Sequence, residues 1–450
     1  MDMQKRWIIL FVALLSISFL GLFYSGHEGV FTDIDSNLNF ADIAWMITAT
    51  IFVLMMTPGL SFFYGGMVRS KNVISTMLQS FIAMGVISVI WVVVGFSLAF
   101  GEDVGHFIGN PGTFLFVNVG GATDKLLAPT IPLALYALFQ MKFAIITPSL
   151  ITGSFAERVR FSGYLVFMIL FCIFVYCPLA HWTWHPDGFL RQMGVLDFAG
   201  GIVVHASSGV AALAGAIFLG RRKESGQPAN IPFVLLGAAM LWLGWFGFNA
   251  GSSLAANSIA VKAFLNTNTA SATAMMTWVV FDCLRGRKPS AMGAAIGAVV
   301  GLVAITPSAG YVTVGESIFI ALVVTVICNM AVSWKNKKNS FDDALDVFPT
   351  HGVGGIVGTI MTGIFVYNAT ENITYWQNLL NHIIAVVIVC GYTFIVTYAL
   401  YWITDKMIPM RVSEKSEKIG LDMSQHDERY GIETNRELAE YFDHGVDTKS

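Results

Sequence analysis

The sequence predicts an all-α polytopic membrane protein. Only 12% of the 450 residues are charged and 55% are hydrophobic, whereas a soluble domain has about a quarter charged residues. Apolar runs of bilayer length are separated by short polar loops, which is the pattern of membrane-spanning helices. The runs do not alternate between polar and apolar residues, as the strands of a membrane β-barrel do.

The N-terminus is a hydrophobic leader. Lys5 and Arg6 precede an apolar stretch, as in a secretory signal peptide. The stretch is long and no A-x-A cleavage motif follows it, so an uncleaved first helix is the alternative to cleavage, which we favour. We divide the chain into a signal peptide or leader (1–26), a transmembrane domain (27–404) and a cytoplasmic tail (405–450).

Eleven apolar runs follow the leader, each of roughly bilayer length. They lie near residues 43–67, 75–100, 130–154, 161–181, 197–219, 231–255, 268–284, 290–306, 315–334, 347–367 and 377–404. The loops that we assign to the cytoplasm hold thirteen Lys and Arg residues, and the opposite loops hold three. This positive-inside bias predicts an external N-terminus and a cytoplasmic C-terminus.

The odd number of spans suggests two inverted five-helix halves plus one extra helix, an arrangement common among transporters. His205 lies in the fifth span and His351 in the tenth, which is the equivalent helix of each half. Each histidine is followed four residues later by a glycine, Gly209 and Gly355 respectively. A pseudo-twofold axis would therefore bring the two imidazoles together near the midplane of the membrane.

Ionisable side chains at this depth are costly and mark candidate functional sites. A lone buried histidine is usually a satisfied core residue, but two at equivalent repeat positions favour a shared function. Imidazole is also a common metal ligand, although the same helix turns supply no third ligand for zinc. Asp197, at the start of the fifth span, is interpreted either as a helix N-cap or as an anion that stabilises an arriving cation, and both roles are compatible.

Several segments together resemble the ammonium transporter (Amt/Mep/Rh) family in its bacterial Amt form. They are DFAGGIVVH, PGLSFFYGGMVR, FQMKFAIITPSLITGSFAERVRF, WFGFNAGS, DVFPTHGVGGIVG and GLDMSQHDERYG. They follow the family's order over nearly all of the chain after the leader. The resemblance implies a homotrimeric ammonium channel-transporter in the cell (inner) membrane, which is not an enzyme and has no cofactor, metal or nucleic-acid partner.

The resemblance also implies roles for particular residues. By motif position, Trp184, Ser252 and Phe143 receive the ammonium ion with Asp197 behind them, and Phe143 and Phe248 form a gate below. The chemistry suits ammonium, because a tryptophan face attracts a cation by about 0.5–2 kcal/mol and a hydroxyl oxygen accepts an N–H hydrogen bond. Without the resemblance, these side chains would be interpreted as an interfacial aromatic, a small packing residue and ordinary core aromatics.

The chemistry of the predicted pore favours passage of ammonia. Moving an ammonium-sized ion into a low-dielectric medium costs about 20 kcal/mol in the Born limit. Two imidazoles and two phenyl rings lack the oxygen ligands that replace the hydration shell in a cation filter. We therefore expect ammonium to lose its proton near the gate and ammonia to cross the lumen past His205 and His351. The proton either returns outside or follows the histidine pair, since imidazole relays protons near neutral pH.

Two positions depart from the family's pattern. Lys142 lies midway along the third span, where the family has a small or apolar residue, and a lysine at that depth needs a partner, water or a snorkelling route. In the tail, Asp427 replaces the glycine of the family's His-Gly-Glu run. The family's tail cooperates with PII-type regulatory proteins, so the substitution leaves the details of that contact open.

The alternative function is an ammonium sensor on the same fold that acts through a cytoplasmic signalling partner. We expect no fused kinase or cyclase domain in the 46 residues after Thr404, so a sensor would signal through a separate protein. An intramembrane enzyme is disfavoured, because the sequence offers no nucleophile–base pair or metal cluster.

Overall fold

The computed structural model describes residues 3–24, 36–338, 341–366 and 373–431. The long helices are α1 Met3–Tyr24, α2 Phe40–Met67, α3 Ser70–Phe100, α4 Leu133–Phe155, α5 Phe161–Phe171 continued by Cys172–Tyr176 and Cys177–Trp184, α6 Gly201–Leu219, α7 Ile231–Ser253, α8 Ser258–Leu284, α9 Ala291–Ile305, α10 Val314–Lys338, α11 Phe348–Gly352 continued by Val353–Phe365, and α12 Tyr375–Met407. Shorter elements are the antiparallel hairpin of β1 (Asp103–Val104) and β2 (Ile108–Gly109), the 3-10 segment Pro111–Phe116, the helical turns Phe189–Gln192 and Asp422–His426, and α13 (Glu414–Ile419).

Eight helices of the described chain are long and apolar enough to cross a membrane: α2 to α7, α10 and α12. A helix also overlaps each of the eleven runs predicted as spans. The all-α membrane class is therefore confirmed, whereas eleven crossings and their direction stay predictions. Of the predicted leader and tail, residues 1–2, 25–26 and 432–450 lie outside the described residues.

Polar side chains define where several helices begin. The first N–H groups of a helix have no partner within it, and a side-chain oxygen just before the helix satisfies them. Asn39 has this role at α2, Asn230 at α7, Asn257 at α8 and Ser290 at α9. Each of these four helices therefore begins where a polar residue with extended backbone precedes an apolar run.

α4 and α6 lie at the centre of the helix bundle. In the most apolar 18-residue segment of α4 and of α6, 83% of the residues are buried, whereas in the corresponding segments of α3 and α12 the share is 33%. The outer helices expose large apolar side chains instead, among them Ile51 on α2 and Val387 on α12. Such a surface suits contact with lipid chains. The centre of the bundle therefore holds the helices that carry Phe143 and His205.

The described part of the tail packs against the ends of α3 and α5. The Asp422 carboxylate accepts hydrogen bonds from the N–H groups of Ile74 (3.1 Å) and Ser75 (2.7 Å) near the start of α3. The side-chain oxygen of Gln425 accepts from the N–H of Phe161, at the start of α5 (2.8 Å). The tail thereby satisfies backbone groups that the helices leave unpaired.

Asp427 adopts a left-handed backbone conformation, with φ of +54°. Glycine reaches this region without steric cost, whereas a side chain destabilises it. The backbone therefore explains why the family resemblance implies a glycine here. Asp427 keeps the turn through its N–H, which donates to the carbonyl oxygen of Met423 at 3.2 Å.

Ion pairs join the loops at the same end of the bundle as the tail. Glu157, which is 1% exposed, contacts Arg69 at 3.1 Å and Arg222 at 3.2 Å. Arg222 also contacts Asp342 at 2.8 Å. Burial raises the pKa of Asp342, but the hydrogen bond from Arg222 and the charges of Arg158 and Arg222 outweigh burial and lower this pKa to about 2. The network ties the loop before α11 to the ends of α2, α4 and α6.

Candidate functional site

His205 of α6 and His351 of α11 face each other in the interior. Their Nδ1 atoms are 3.3 Å apart, and their ring centroids are 5.4 Å apart with 26° between the ring planes. The two residues are 1% and 3% exposed. The second ring nitrogen of His205, Nε2, is buried and has no hydrogen-bond partner within the described chain. The structure thus brings together the histidines that the sequence analysis assigned to equivalent helices of a repeat.

Glycines allow α6 and α11 to approach closely at the level of the histidines. A Cβ atom on Gly209 would lie 2.1 Å from the Cα of Gly352, and one on Gly355 would lie 2.6 Å from the carbonyl oxygen of Gly201. Neither distance can accommodate a side chain. The glycines that follow each histidine by four residues are therefore the residues that permit the contact between the helices.

Three predicted site residues lie in π-helical stretches. His205 lies in Gly201–Ala206, Phe248 in Phe246–Ala250 and His351 in Phe348–Gly352. A π turn places an extra residue in the helix and is frequent at functional sites. Apolar periodicity does not reveal such local turns, so they are found only in the structure.

Asp197 forms the N-terminal cap of α6. Its carboxylate oxygens accept four backbone hydrogen bonds of 2.6–3.2 Å, from Gly200, Gly201, Ile202 and Val203. The residue is 4% exposed. Its backbone carbonyl oxygen accepts a hydrogen bond from Nε1 of Trp184 at 2.9 Å. Asp197 therefore fixes both the start of α6 and the orientation of the Trp184 ring.

A column of aromatic rings connects Trp184 with the histidine pair. The centroid of Trp184 lies 5.7 Å from that of Phe143, with the ring planes at 82°. Phe143 lies 4.3 Å from Phe248, and Phe248 lies 5.8 Å from His205. Both phenylalanines are buried. Five of the sequence-predicted site residues, including His351, thus form one continuous series of contacts.

Ser252 and Lys142 lie beside this column. Ser252 is half-buried, one turn beyond Phe248 on α7, and its hydroxyl donates to the carbonyl oxygen of Phe248 at 2.8 Å. Lys142 is half-buried on α4, and its ammonium group lies 3.7 Å from the Sδ of Met141. Neighbouring residues of an α-helix point about 100° apart, so Lys142 projects away from the face on which Phe143 joins the column.

A second buried aspartate caps α11. The Asp343 carboxylate accepts hydrogen bonds from the N–H groups of Val347 (3.1 Å) and Phe348 (2.8 Å). Burial raises the pKa of Asp343 to about 6, although the charge of Lys335 opposes the shift. Asp343 precedes His351 by eight residues, the same separation as between Asp197 and His205. The sequence analysis did not single out Asp343, although this equal spacing was the available signal.

The site suits a small hydrogen-bonding molecule. Among the described residues, no group of three or more His, Cys, Asp or Glu side chains could hold a metal ion. Below Trp184, whose N–H is donated to Asp197, the two imidazoles follow two phenyl rings and bring hydrogen-bonding nitrogens into the column. Such an arrangement can bind a small donor or acceptor and can pass a proton between its nitrogen atoms.

Comparison with known proteins identifies the chain's relatives. The model of the Ammonium Transporter Family matches residues 44–430. The chain is 45% identical to a putative ammonium transporter of Methanothermobacter thermautotrophicus over 87% of this chain and 98% of that protein. It is 41% identical to an ammonium transporter of Bacillus subtilis, again over 87% of this chain and 98% of the relative.

Solved structures show the same fold. The crystal structure of Saccharomyces cerevisiae Mep2 has a TM-score of 0.79 and 33% sequence identity, and the match covers 89% of this chain and 96% of Mep2. A structure described as a sensor Amt protein has a TM-score of 0.80 and 29% identity, covering 86% of this chain and 98% of that protein. Sequence and structure agree over almost the whole length of these relatives, and the chain is a multi-pass membrane protein that belongs to the ammonium transporter family.

Proposed function

We propose that this protein receives NH4+ at an outer site of Trp184, Ser252 and Phe143, removes one proton and passes NH3 along the two histidines. The observation that carries the proposal is the buried Nε2 of His205, a hydrogen-bonding atom without a partner in the described chain. A buried polar atom without a partner is costly. A substrate that hydrogen-bonds to this atom would remove the cost.

The chemistry of the outer residues supports recruitment of a cation. The indole N–H of Trp184 is engaged by Asp197, which holds the ring while its face remains able to attract a cation. Ser252 uses its hydroxyl proton for a backbone carbonyl, so its oxygen keeps lone pairs for an ammonium N–H. The oxygens of Asp197 are occupied by four N–H groups. Asp197 therefore supports the site through its charge and does not ligate the ion.

The contact between Phe143 and Phe248 supports deprotonation at the gate. The two rings are 4.3 Å apart and buried, so an ion that passes them loses its water and gains no oxygen ligands. The penalty for a dehydrated cation amounts to several kcal/mol even after relaxation. Neutral ammonia avoids most of this penalty. The gate thus favours the neutral species over NH4+, Na+ and K+.

The spacing of the histidine nitrogens supports a shared proton. At 3.3 Å, one Nδ1 donates to the other, so the pair holds a single proton between its two Nδ1 atoms. When His205 donates, its Nε2 is an acceptor that can take a hydrogen bond or a proton from the substrate. The proton then has two routes, back to the outside or along the histidine pair, and transport is electrogenic in the second case.

We extend the proposal to orientation and assembly. The bias of thirteen basic loop residues against three supports eleven spans with the N-terminus outside and the tail in the cytoplasm. The tail packs against the same end of the bundle as these basic loops. We further propose a homotrimer in the inner membrane, a leader over 1–26, and a regulatory tail over 405–450 that meets a PII-type protein.

Current measurements on a supported membrane test the mechanism. Proteoliposomes of the wild type are compared with His205→Ala and His351→Ala, and with His106→Ala, which alters an exposed histidine. We expect a saturable current on addition of ammonium in the wild type and in His106→Ala, and loss of this response in the other two variants. Full ammonium flux in both pore variants would contradict the paired-histidine mechanism. Ammonia uptake without a current would mean that the proton returns to the outside.

A sensor is the second candidate, since one solved relative is described as a sensor Amt protein. A sensor needs ammonium binding but little flux. Wild-type proteoliposomes that bind ammonium and show neither current nor uptake would favour sensing through a separate partner. Flux with the kinetics of a transporter would exclude sensing as the sole function.

A further inference from the structure

Trp245 of α7 lies against the ring of His205. The two ring centroids are 5.1 Å apart and the planes differ by only 16°. Trp245 is 1% exposed and also contacts Phe248, with the centroids 5.3 Å apart. The indole of Trp245 therefore stacks on one face of the His205 imidazole, and the Nδ1 atom at the edge of the imidazole contacts His351. Neither the motif pattern nor the histidine spacing indicates this contact.

The indole of Trp245 is itself held by a directed pair of hydrogen bonds. Its Nε1 donates to Oγ1 of Thr306 at 2.9 Å, and the Thr306 hydroxyl donates to the carbonyl oxygen of Leu302 at 2.7 Å. A hydroxyl has one proton to give. Because Leu302 takes that proton, the Thr306 oxygen can only accept, which is what the indole N–H requires. Thr306 is fully buried.

We propose that Trp245, fixed by Thr306, is a positioning residue that holds the His205 ring with Nδ1 towards His351 and Nε2 available to the substrate. A stacked indole opposes rotation of the imidazole. Its face also stabilises the ring when the ring carries a positive charge. This inference rests on the proposed function, because it assigns Trp245 to the proton-accepting step at His205. It extends the site to the end of α9, where Thr306 lies.

The matched variants are Thr306→Val, which keeps the shape but removes the acceptor, and Thr306→Ser, which restores it. Ammonium currents are measured as a function of concentration on proteoliposomes, with Trp184→Leu for comparison. We expect Thr306→Val to lower the maximal current by about fivefold, the factor for one hydrogen bond of about 1 kcal/mol, with an unchanged half-saturating concentration. Thr306→Ser restores the maximal current. Trp184→Leu raises the half-saturating concentration instead, because it alters recruitment.

Three outcomes separate this inference from the proposed function. If Thr306→Val carries the same maximal current as the wild type and His205→Ala carries none, Trp245 has no positioning role. The proposed function then remains intact. Current that persists in His205→Ala overturns the proposed function itself. If Thr306→Val is not recovered folded, Trp245→Phe and Trp245→Leu decide: we expect Phe, which keeps a ring against His205, to retain more current than Leu, and equal currents contradict the inference.

Discussion

Asp197 and Asp343 each precede one histidine of the buried pair by eight residues, and each caps the helix that carries that histidine. The two helices are α6 and α11, the equivalent elements of the predicted inverted repeat. A carboxylate at a helix start compensates the unpaired N–H groups and the positive end of the helix dipole. The helices that carry the two histidines therefore each begin with a buried carboxylate that accepts backbone N–H groups.

Removal of the Asp343 carboxylate should destabilise the start of α11. In Asp343→Ala the N–H groups of Val347 and Phe348 lose their acceptors. We therefore expect the free energy of unfolding to fall by about 1–2 kcal/mol. Asp343→Asn keeps one acceptor oxygen and should lose less. Thermal unfolding of the purified protein in detergent measures both, with the surface variant Asp187→Ala as control. Equal stability of Asp343→Ala and wild type would show that the cap contributes nothing.

A methyl group at Gly209 should separate the helices that carry the histidines. The Cβ of alanine would lie 2.1 Å from the Cα of Gly352, and overpacking of this kind costs about 1–3 kcal/mol. We expect Gly209→Ala to lower both the thermal midpoint and ammonium flux. Gly391→Ala is the matched control, because a Cβ there meets no atom within 4 Å. Normal flux in Gly209→Ala would mean that the histidine spacing tolerates movement of the backbone.

The ion pair of Asp342 predicts loss of stability in acid. The pKa of Asp342 is lowered to about 2, so the pair with Arg222 contributes its full stability above the unfolded-state pKa of about 4 and loses it as the pH falls towards 2. With solvent screening the effect is about 1 kcal/mol. The difference in thermal midpoint between wild type and Asp342→Asn should therefore shrink between pH 5 and pH 2. A constant difference over this range would argue against the ion pair.

Replacement of Asp427 by glycine should strengthen the tail. The residue has φ of +54°, and glycine adopts this left-handed conformation without the steric cost of a Cβ atom. The substitution should therefore stabilise the folded tail by about 1 kcal/mol. We expect slower proteolysis of the tail and a higher thermal midpoint in Asp427→Gly. Asp427→Ala removes the carboxylate but keeps a Cβ, so it should show no gain. A gain of the same size in Asp427→Ala would assign the effect to charge.

The sequence predicted the helical membrane class and the encounter of His205 with His351, because both follow from long-range regularities: apolar run length and repeat position. Other features depend on contacts that no periodicity encodes. Trp245, which stacks on His205, directly precedes the π turn Phe246–Ala250, and its indole donates to the hydroxyl of Thr306, a residue distant in the chain that directly follows α9. The contact of the Lys142 ammonium group with the Sδ of Met141 depends on the side-chain rotamer and could not be predicted from its position in α4. Asp343 was within reach of sequence reasoning, because its spacing repeats that of Asp197.

Because the two Nδ1 atoms are only 3.3 Å apart, a proton that passes through the pair changes the tautomers of both imidazoles. When a proton enters at Nε2 of His205 and leaves at Nε2 of His351, the bridging hydrogen is handed across and both rings end in the opposite tautomer. The next substrate then meets a donor where an acceptor is required. If the proton takes the proposed route, the pair must reset before another proton follows the same path, and the rate of that reset sets an upper limit on the current that one pore can carry.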